Sequence, residues 1–368
     1  MFEIPVSRKT GVLLINVGTP DNPDTASVRK YLAEFLMDKR VVSMPTLLRF
    51  CLVYGLILPF RSSKSAHAYQ SVWDKNKGSP LLSISQAFAE KLQTHLGAEY
   101  VVALGMRYGN PSIASALDAL LAQQVDKIIV APLYPQYASA TTSSALEAVF
   151  DGLKQQSIFP TLKTIDAFYY YQEYIQAKAN VIRPFLKEKW DSILFSYHGL
   201  PFAQVKQSEE NTPANCDKNL ACPTINKVNR NCYRAQCYQT TELLAKALGL
   251  AAGDYGVSFQ SRVGKNRWIG PDTESALKTL IQQGKKNVLV VCPSFVADCL
   301  ETLEEIGLRA KELWLSLGGE SLTAIPCLND SPEWVASFAK IILSESIGSM
   351  HFAQPPLAAI SVTVSDLA

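Results

Sequence analysis

The sequence predicts an α/β protein of two similar doubly wound domains, each with a parallel four-stranded sheet flanked by helices. Three observations carry this. Short apolar runs alternate with longer amphipathic stretches along the chain, the pattern of repeated βα units. Four such units occur twice in the same order. The length, 368 residues, suggests two domains, or three, at roughly 150 residues each.

The elements follow in order. Residues 11–17 (GVLLINV) form a bounded apolar run closed by the turn GTPDNP. Arg8 and Lys9 precede it, but no small-residue cleavage site follows, so it reads as a first strand and the protein is expected in the cytoplasm. Asp24 can cap a helix whose Val28, Tyr31, Leu32, Phe35 and Leu36 fall at helical spacing. Further strands are expected at 100–106, 127–132 and 162–167, then at 192–197, 254–260, 287–292 and 322–326. LLINVGTP (13–20) is echoed by ILFSYHGLP (193–201), and KIIVAPLYP (127–135) by NVLVVCPSF (287–295). ALGMRYGNPSIASAL (103–117) is echoed by SFQSRVG and IGPDTESAL, with Arg107 and Arg262 each just past a strand. The division expected is 1–165, 166–345 and a tail at 346–368. Ligands of such folds bind beyond the carboxyl ends of the strands.

Composition excludes some classes of function. Hydrophobic residues make up 48% and charged residues 18%, too apolar for a disordered chain. The 35 basic and 33 acidic residues leave +2, without the basic excess of a nucleic-acid binder. The most apolar stretch, Phe50 to Phe60, is too short to span a bilayer, which takes about 20 residues. It is either a buried core segment or an interfacial element with Arg49, Arg61 and Lys64 at headgroup level.

Strand ends supply the chemistry. His198 directly follows a strand, where an imidazole can give or take a proton near neutral pH or else simply bond to backbone at the turn, a placement not shared by His67, His95 and His351. Asp298, Glu301 and Glu305 are spaced so that an α-helix would align all three carboxylates, either favouring a helix N-terminus or passing a divalent cation inward. Trp268, beside glycines, can stack on a flat ligand or lid a core edge. Arg107 and the segment Tyr69 to Ser79 can bind ligand carboxylates. Nothing reads as a phosphate loop or a dinucleotide fingerprint.

Cys216, Cys222, Cys232 and Cys237 are spaced C-x5-C-x9-C-x4-C in a segment rich in Asn, Lys and Pro, read as a loop. The spacing admits a [2Fe–2S] cluster, a zinc site, or a disulfide or no ligand. Cys51, Cys292, Cys299 and Cys327 read as ordinary buried thiols.

Taken together, LLINVGTP, YQSVW with GSPL, SYHGLP, QSRVGKNRWIGP and ADCLETLEEI resemble the ferrochelatases, from about Val12 to Phe338. The resemblance implies two Rossmann-like domains around a porphyrin cleft. It implies insertion of Fe2+ into protoporphyrin IX to form protohaem, the terminal step of haem biosynthesis, by porphyrin distortion and proton abstraction. By motif, His198 and Glu301 are the catalytic pair, and Asp298 and Glu305 join them toward the metal. Tyr69, Ser79, Arg107, Tyr108 and Trp268 match porphyrin-contact positions, and the region at about 41–69 matches an apolar lip facing substrate and the inner membrane surface. Partners are then protoporphyrin IX and ferrous iron, with no nucleic acid, in a monomer or homodimer. Cys299 stands where some relatives have His, so a second imidazole has no part here. Some bacterial members carry internal cysteines, which implies a [2Fe–2S] cluster on the four-Cys segment (about 211–237).

Overall fold

The computed structural model describes residues 9–154, 156–207, 222, 224–262, 264 and 267–346. Strands occur at all eight expected places: β1 Thr10–Thr19, β2 Tyr100–Gly109, β3 Lys127–Pro132 and β4 Thr161–Thr164, then β5 Ser192–His198, β6 Tyr255–Gln260, β7 Asn287–Val291 and β8 Ser321–Ala324. They form two parallel four-stranded sheets of identical order, β2-β1-β3-β4 and β6-β5-β7-β8. Helices flank both sheets, as doubly wound Rossmann-like units require.

Alternation along each strand explains the unbroken apolar runs. Successive side chains point to opposite faces, and here both faces are covered. Val12 and Leu14 of β1 enter one core, whereas Leu13 and Ile15 enter another with Ile113, Leu117 and Leu120. In β5, Ile193 and Phe195 enter the first core and Leu194 packs with Leu277 and Trp314. The first core is thus common to both sheets. The last helix, Pro332–Ser346, closes it by crossing to the first unit, where Phe88 meets Trp334 at 6.1 Å and Phe338 at 5.6 Å between ring centroids.

The repeat extends to the connections. After β2 and β6 the chain turns back so that Met106 N–H donates to Pro111 O and Phe259 N–H to Pro271 O. Ser112 and Asp272 then cap the helices Ile113–Ala122 and Thr273–Gln282 by accepting from Ser115 and Ser275 N–H. These turns equate Met106 with Phe259, and therefore Arg107 with Gln260. After β3 and β7, each unit enters a helix through a π-helical start, Ser139–Ser143 and Glu301–Ala310.

The apolar stretch around Phe50–Phe60 is not a core segment. It belongs to a helix over residues 46–72, following Pro45, with a π turn at Val53–Ile57 where Leu58 N–H reaches Val53 O. That turn immediately precedes Pro59, which cannot donate to an α-helical ladder. Val53 and Leu58 are buried, but Leu47, Leu48, Phe50, Tyr54, Leu56 and Phe60 are exposed. Arg49 departs from the expected surface position: it is buried, donating to Val42 O, Met44 O and Thr46 Oγ1, and so folds the preceding loop. Arg61 and Lys64 are exposed. Asp24 caps the helix Thr25–Met37 as expected, accepting from Ala26 and Ser27 N–H.

Candidate active site

β5 ends on His198, in register with Gln260 at the end of β6. Its imidazole Nδ1 lies 2.7 Å from Gly199 O. A carbonyl only accepts, so Nδ1 carries a proton, and whenever the ring is neutral the lone pair lies on Nε2. The His198 main chain is held as well: its N–H donates to Ser294 Oγ at 3.4 Å, and its carbonyl accepts from Tyr233 OH at 2.8 Å. A Cβ on Gly199 would stand 2.7 Å from Gln260 O and 3.3 Å from Trp268 Cε3. Glycine therefore lets this turn lie against β6 and the Trp268 indole.

The acidic residues are arranged differently from an α-helical stripe. Asp298 precedes the helix and is buried, and Glu301–Ala310 is π-helical, so the spacing rule for α-helical faces does not apply. Asp298 accepts from Thr302 Oγ1, Asn329 Nδ2 and the Cys327 N–H, which pins the entry to the π-helix onto the loop after β8. Glu305 accepts from Ser261 N–H at 2.8 Å and from Ser261 Oγ at 2.5 Å, in the loop after β6. Glu301 contributes its main-chain carbonyl to Gln260 Nε2 at 2.7 Å. Its carboxylate charge acts on neighbouring groups. Burial pushes the phenols of Tyr31 and Tyr69 and the thiol of Cys299 well above their ordinary values, and Glu301 adds to each shift. The start of this helix packs against the first unit, where Leu300 lies on the cluster of Tyr31 and Tyr69, which meet edge to face at 6.3 Å.

The expected carboxylate-binding residues of the first unit are engaged internally. Arg107 lies within β2, not past it, and donates through Nε to Ser144 and through Nη2 to Asp38 Oδ2 at 2.6 Å. Tyr108 is buried and donates to Asp38 Oδ2 at 2.9 Å. Ser79 is buried with its Oγ 2.8 Å from Thr19 Oγ1. Tyr69 is buried between Tyr31 and Trp73.

Asp38 organises this side. Burial alone would raise its carboxyl, but donors from Ser144, Arg40 N–H and Tyr108, with the charge of Arg107, hold it below the usual carboxylate range. A carboxyl lowered on folding stabilises the protein above its unfolded value and loses that contribution as pH falls through the folded one. Asp38→Ala should cost about 3 kcal/mol at neutral pH by leaving Arg107 unpaired. The difference from the parent should narrow below about pH 4. Urea unfolding of both proteins across this range checks it.

Of the four expected cluster cysteines, Cys216 lies outside the described residues. Cys232 and Cys237 are buried, and Cys237 sits inside the helix Tyr233–Leu248, so the segment is not all loop. Arg234 Nη1 donates to Cys222 Sγ at 3.2 Å. Burial pushes the Cys237 thiol well above its ordinary value, and nearby Cys222 and Cys232 add to it. Among the described residues, no three His, Cys, Asp or Glu side chains stand together as a ready metal site.

A family model described as Ferrochelatase matches residues 9–346. The chain belongs to the ferrochelatase family. It is 52% identical over 334 residues to the ferrochelatase of Legionella pneumophila (strain Lens), covering 91% of this chain and 98% of that one. It is 47% identical over 336 residues to the ferrochelatase of Coxiella burnetii (strain CbuG_Q212), covering 91% and 93%. Among solved structures it resembles the sirohydrochlorin chelatase SirB of Bacillus subtilis subspecies spizizenii in complex with cobalt. That match has a TM-score of 0.52 and 11% identity over 92% of this chain and 96% of the other, a likeness of fold alone. Ferrochelatase membership carries a metal-chelatase activity on a porphyrin.

Several residues at this ferrochelatase-type site were not singled out in the sequence: Asp38, Tyr31, Gln260, Ser261, Ser294 and Tyr233. Only Ser261 carried a local signal, the SR that follows an apolar strand. The rest are brought in by partners far away in the chain.

Proposed function

We propose that this protein inserts Fe2+ into protoporphyrin IX to give protohaem. The observation that carries this reading is the 2.7 Å contact of His198 Nδ1 with Gly199 O at the end of β5, which in the neutral ring leaves Nε2 to accept a proton. Insertion exchanges two pyrrole N–H protons for one ferrous ion, so a base and a path for a hard cation are both needed. His198 takes pyrrole protons. Glu301, at the head of the π-helix, offers its carboxylate to the incoming ion or to released protons. Asp298 and Glu305 hold the helix entry and the loop after β6 around it, and extend the metal path outward. Trp268 and Tyr69 flank the ring, with Ser79, Arg107 and Tyr108 shaping the wall on the side of the first unit. Protoporphyrin, coproporphyrin and sirohydrochlorin, each offered with Fe2+ and Co2+ without air, test the reading. Fastest insertion is expected for Fe2+ into protoporphyrin. A preference for Co2+ and sirohydrochlorin, or tight porphyrin binding without insertion, overturns it.

The exposed row Leu47, Leu48, Phe50, Tyr54, Leu56 and Phe60, with Arg61 and Lys64 beside it, supports peripheral contact with the inner membrane surface. No helix among the described residues is long and apolar enough to cross a membrane. The doubly substituted Leu47→Glu/Phe60→Glu protein should lose sedimentation with anionic vesicles; parental sedimentation would refute the contact.

A [2Fe–2S] cluster on Cys216, Cys222, Cys232 and Cys237 is the reading favoured for the thiol segment. Four thiolates are its usual donors, and the Arg234 N–H at the Cys222 sulfur is the kind of outer contact that supports them. When bound, the cluster would supply one-electron chemistry, and no step of metal insertion runs through it. Protein prepared without air should contain acid-labile sulfide and visible charge-transfer absorption. Bound zinc, or neither feature, rules the cluster out.

A further inference from the structure

We infer that Tyr233 is a positioning residue for His198, closing a ring of hydrogen bonds that holds the imidazole in its proton-accepting form. The inference rests on the reading of His198 as the proton acceptor. Tyr233 opens the helix Tyr233–Leu248 and is buried. Its OH lies 2.8 Å from His198 O and 3.1 Å from Ser294 Oγ, and Ser294 Oγ in turn accepts from His198 N–H. One assignment satisfies every donor: His198 N–H to Ser294 Oγ, Ser294 O–H to Tyr233 Oη, and Tyr233 O–H to His198 O.

The consequence is geometric. His198 is the last residue of β5, where the ladder runs out and main-chain groups lose their strand partners. β6 supplies one further link, Gly199 N–H to Gln260 O at 2.8 Å. Tyr233 and Ser294 hold both polar groups of the His198 main chain, and so fix where Gly199 O stands relative to Nδ1. That carbonyl selects the tautomer. Without the phenol, the His198–Gly199 peptide keeps only its Gly199 N–H link to Gln260 O, Gly199 O is held less firmly against Nδ1–H, and the neutral ring is no longer restricted to one tautomer. Cys237 follows Tyr233 by one turn of the same helix.

The test has two readouts. In protein labelled with 15N-histidine, the His198 signals are assigned by their loss in His198→Ala. The parent should show one neutral tautomer, protonated on Nδ1. Tyr233→Phe should show both tautomers. It should also lower kcat about tenfold with the KM for porphyrin within about twofold, as loss of orientation rather than of binding predicts. Ser294→Ala breaks the same ring from the other side and should reproduce both changes, which keeps the test available if Tyr233→Phe fails to fold. A single unchanged tautomer in a folded variant overturns the inference, whatever its stability. So does an altered tautomer with parental kcat when His198→Ala is inactive. If His198→Ala instead inserts iron normally, the proton-acceptor reading falls, and the tautomer alone judges Tyr233.

Discussion

Replacing His198 with alanine should slow iron insertion about 1000-fold while leaving the fold and porphyrin binding nearly intact. Among the described residues the side chain makes one hydrogen bond, to Gly199 O in the adjoining residue, so its removal leaves no distant buried group there unpaired. Its main chain stays held by Ser294 and Tyr233. What disappears is the ring nitrogen proposed to accept the pyrrole protons. Porphyrin fluorescence measures binding and haem absorbance measures insertion. Parental insertion by this variant would remove the base from the mechanism and leave Glu301 as the next group to test, by Glu301→Gln.

Gly18→Ala should abolish the folded state or destabilise it by more than about 4 kcal/mol. Gly18 has φ +106°, a conformation that costs any residue with a Cβ. Worse, that Cβ would stand 1.8 Å from Tyr108 O, a main-chain atom of β2 that cannot swing away. The pairing of Gly18 with Tyr108 sits where β1 and β2 end, directly beneath the Asp38 network. A folded Gly18→Ala protein with parental urea midpoint would mean that the two strand ends can separate, contrary to this close approach.

How far the sequence reveals this molecule depends on the range of each interaction. The strands are legible because residues such as Leu13 and Leu14 are both buried, one in each core, and so write an unbroken apolar run. The repeat is legible because its turns carry the same local chemistry. His198 stands out because strand ends are where doubly wound folds bind. The acidic helix is less legible: sequence spacing assumes 3.6 residues per turn, and the π-helix at Glu301–Ala310 obeys a different period. Arg107 and Tyr108 look available in sequence because Asp38, which engages both, is 69 and 70 residues away. Arg49 looks like a surface charge because its acceptors are main-chain carbonyls of a loop whose path is not written in side chains. Tyr233 carries no pattern at all; only the folded chain brings it to His198.

The repeated brace between the second strand of each unit and its π-started helix has a consequence for how such a protein can change. In the first unit the brace is Arg107 to Ser144, locked by Asp38; in the second it is Gln260 to the Glu301 carbonyl and Ser261 to Glu305. One address in a duplicated frame holds a closed ion-pair network, and its twin carries the carboxylates proposed to meet the metal. Carboxylates that burden the second unit can persist because the first unit anchors the frame they sit on. Stabilising substitutions should therefore be tolerated around Asp38 and costly around Glu301, an asymmetry between two halves of the same architecture.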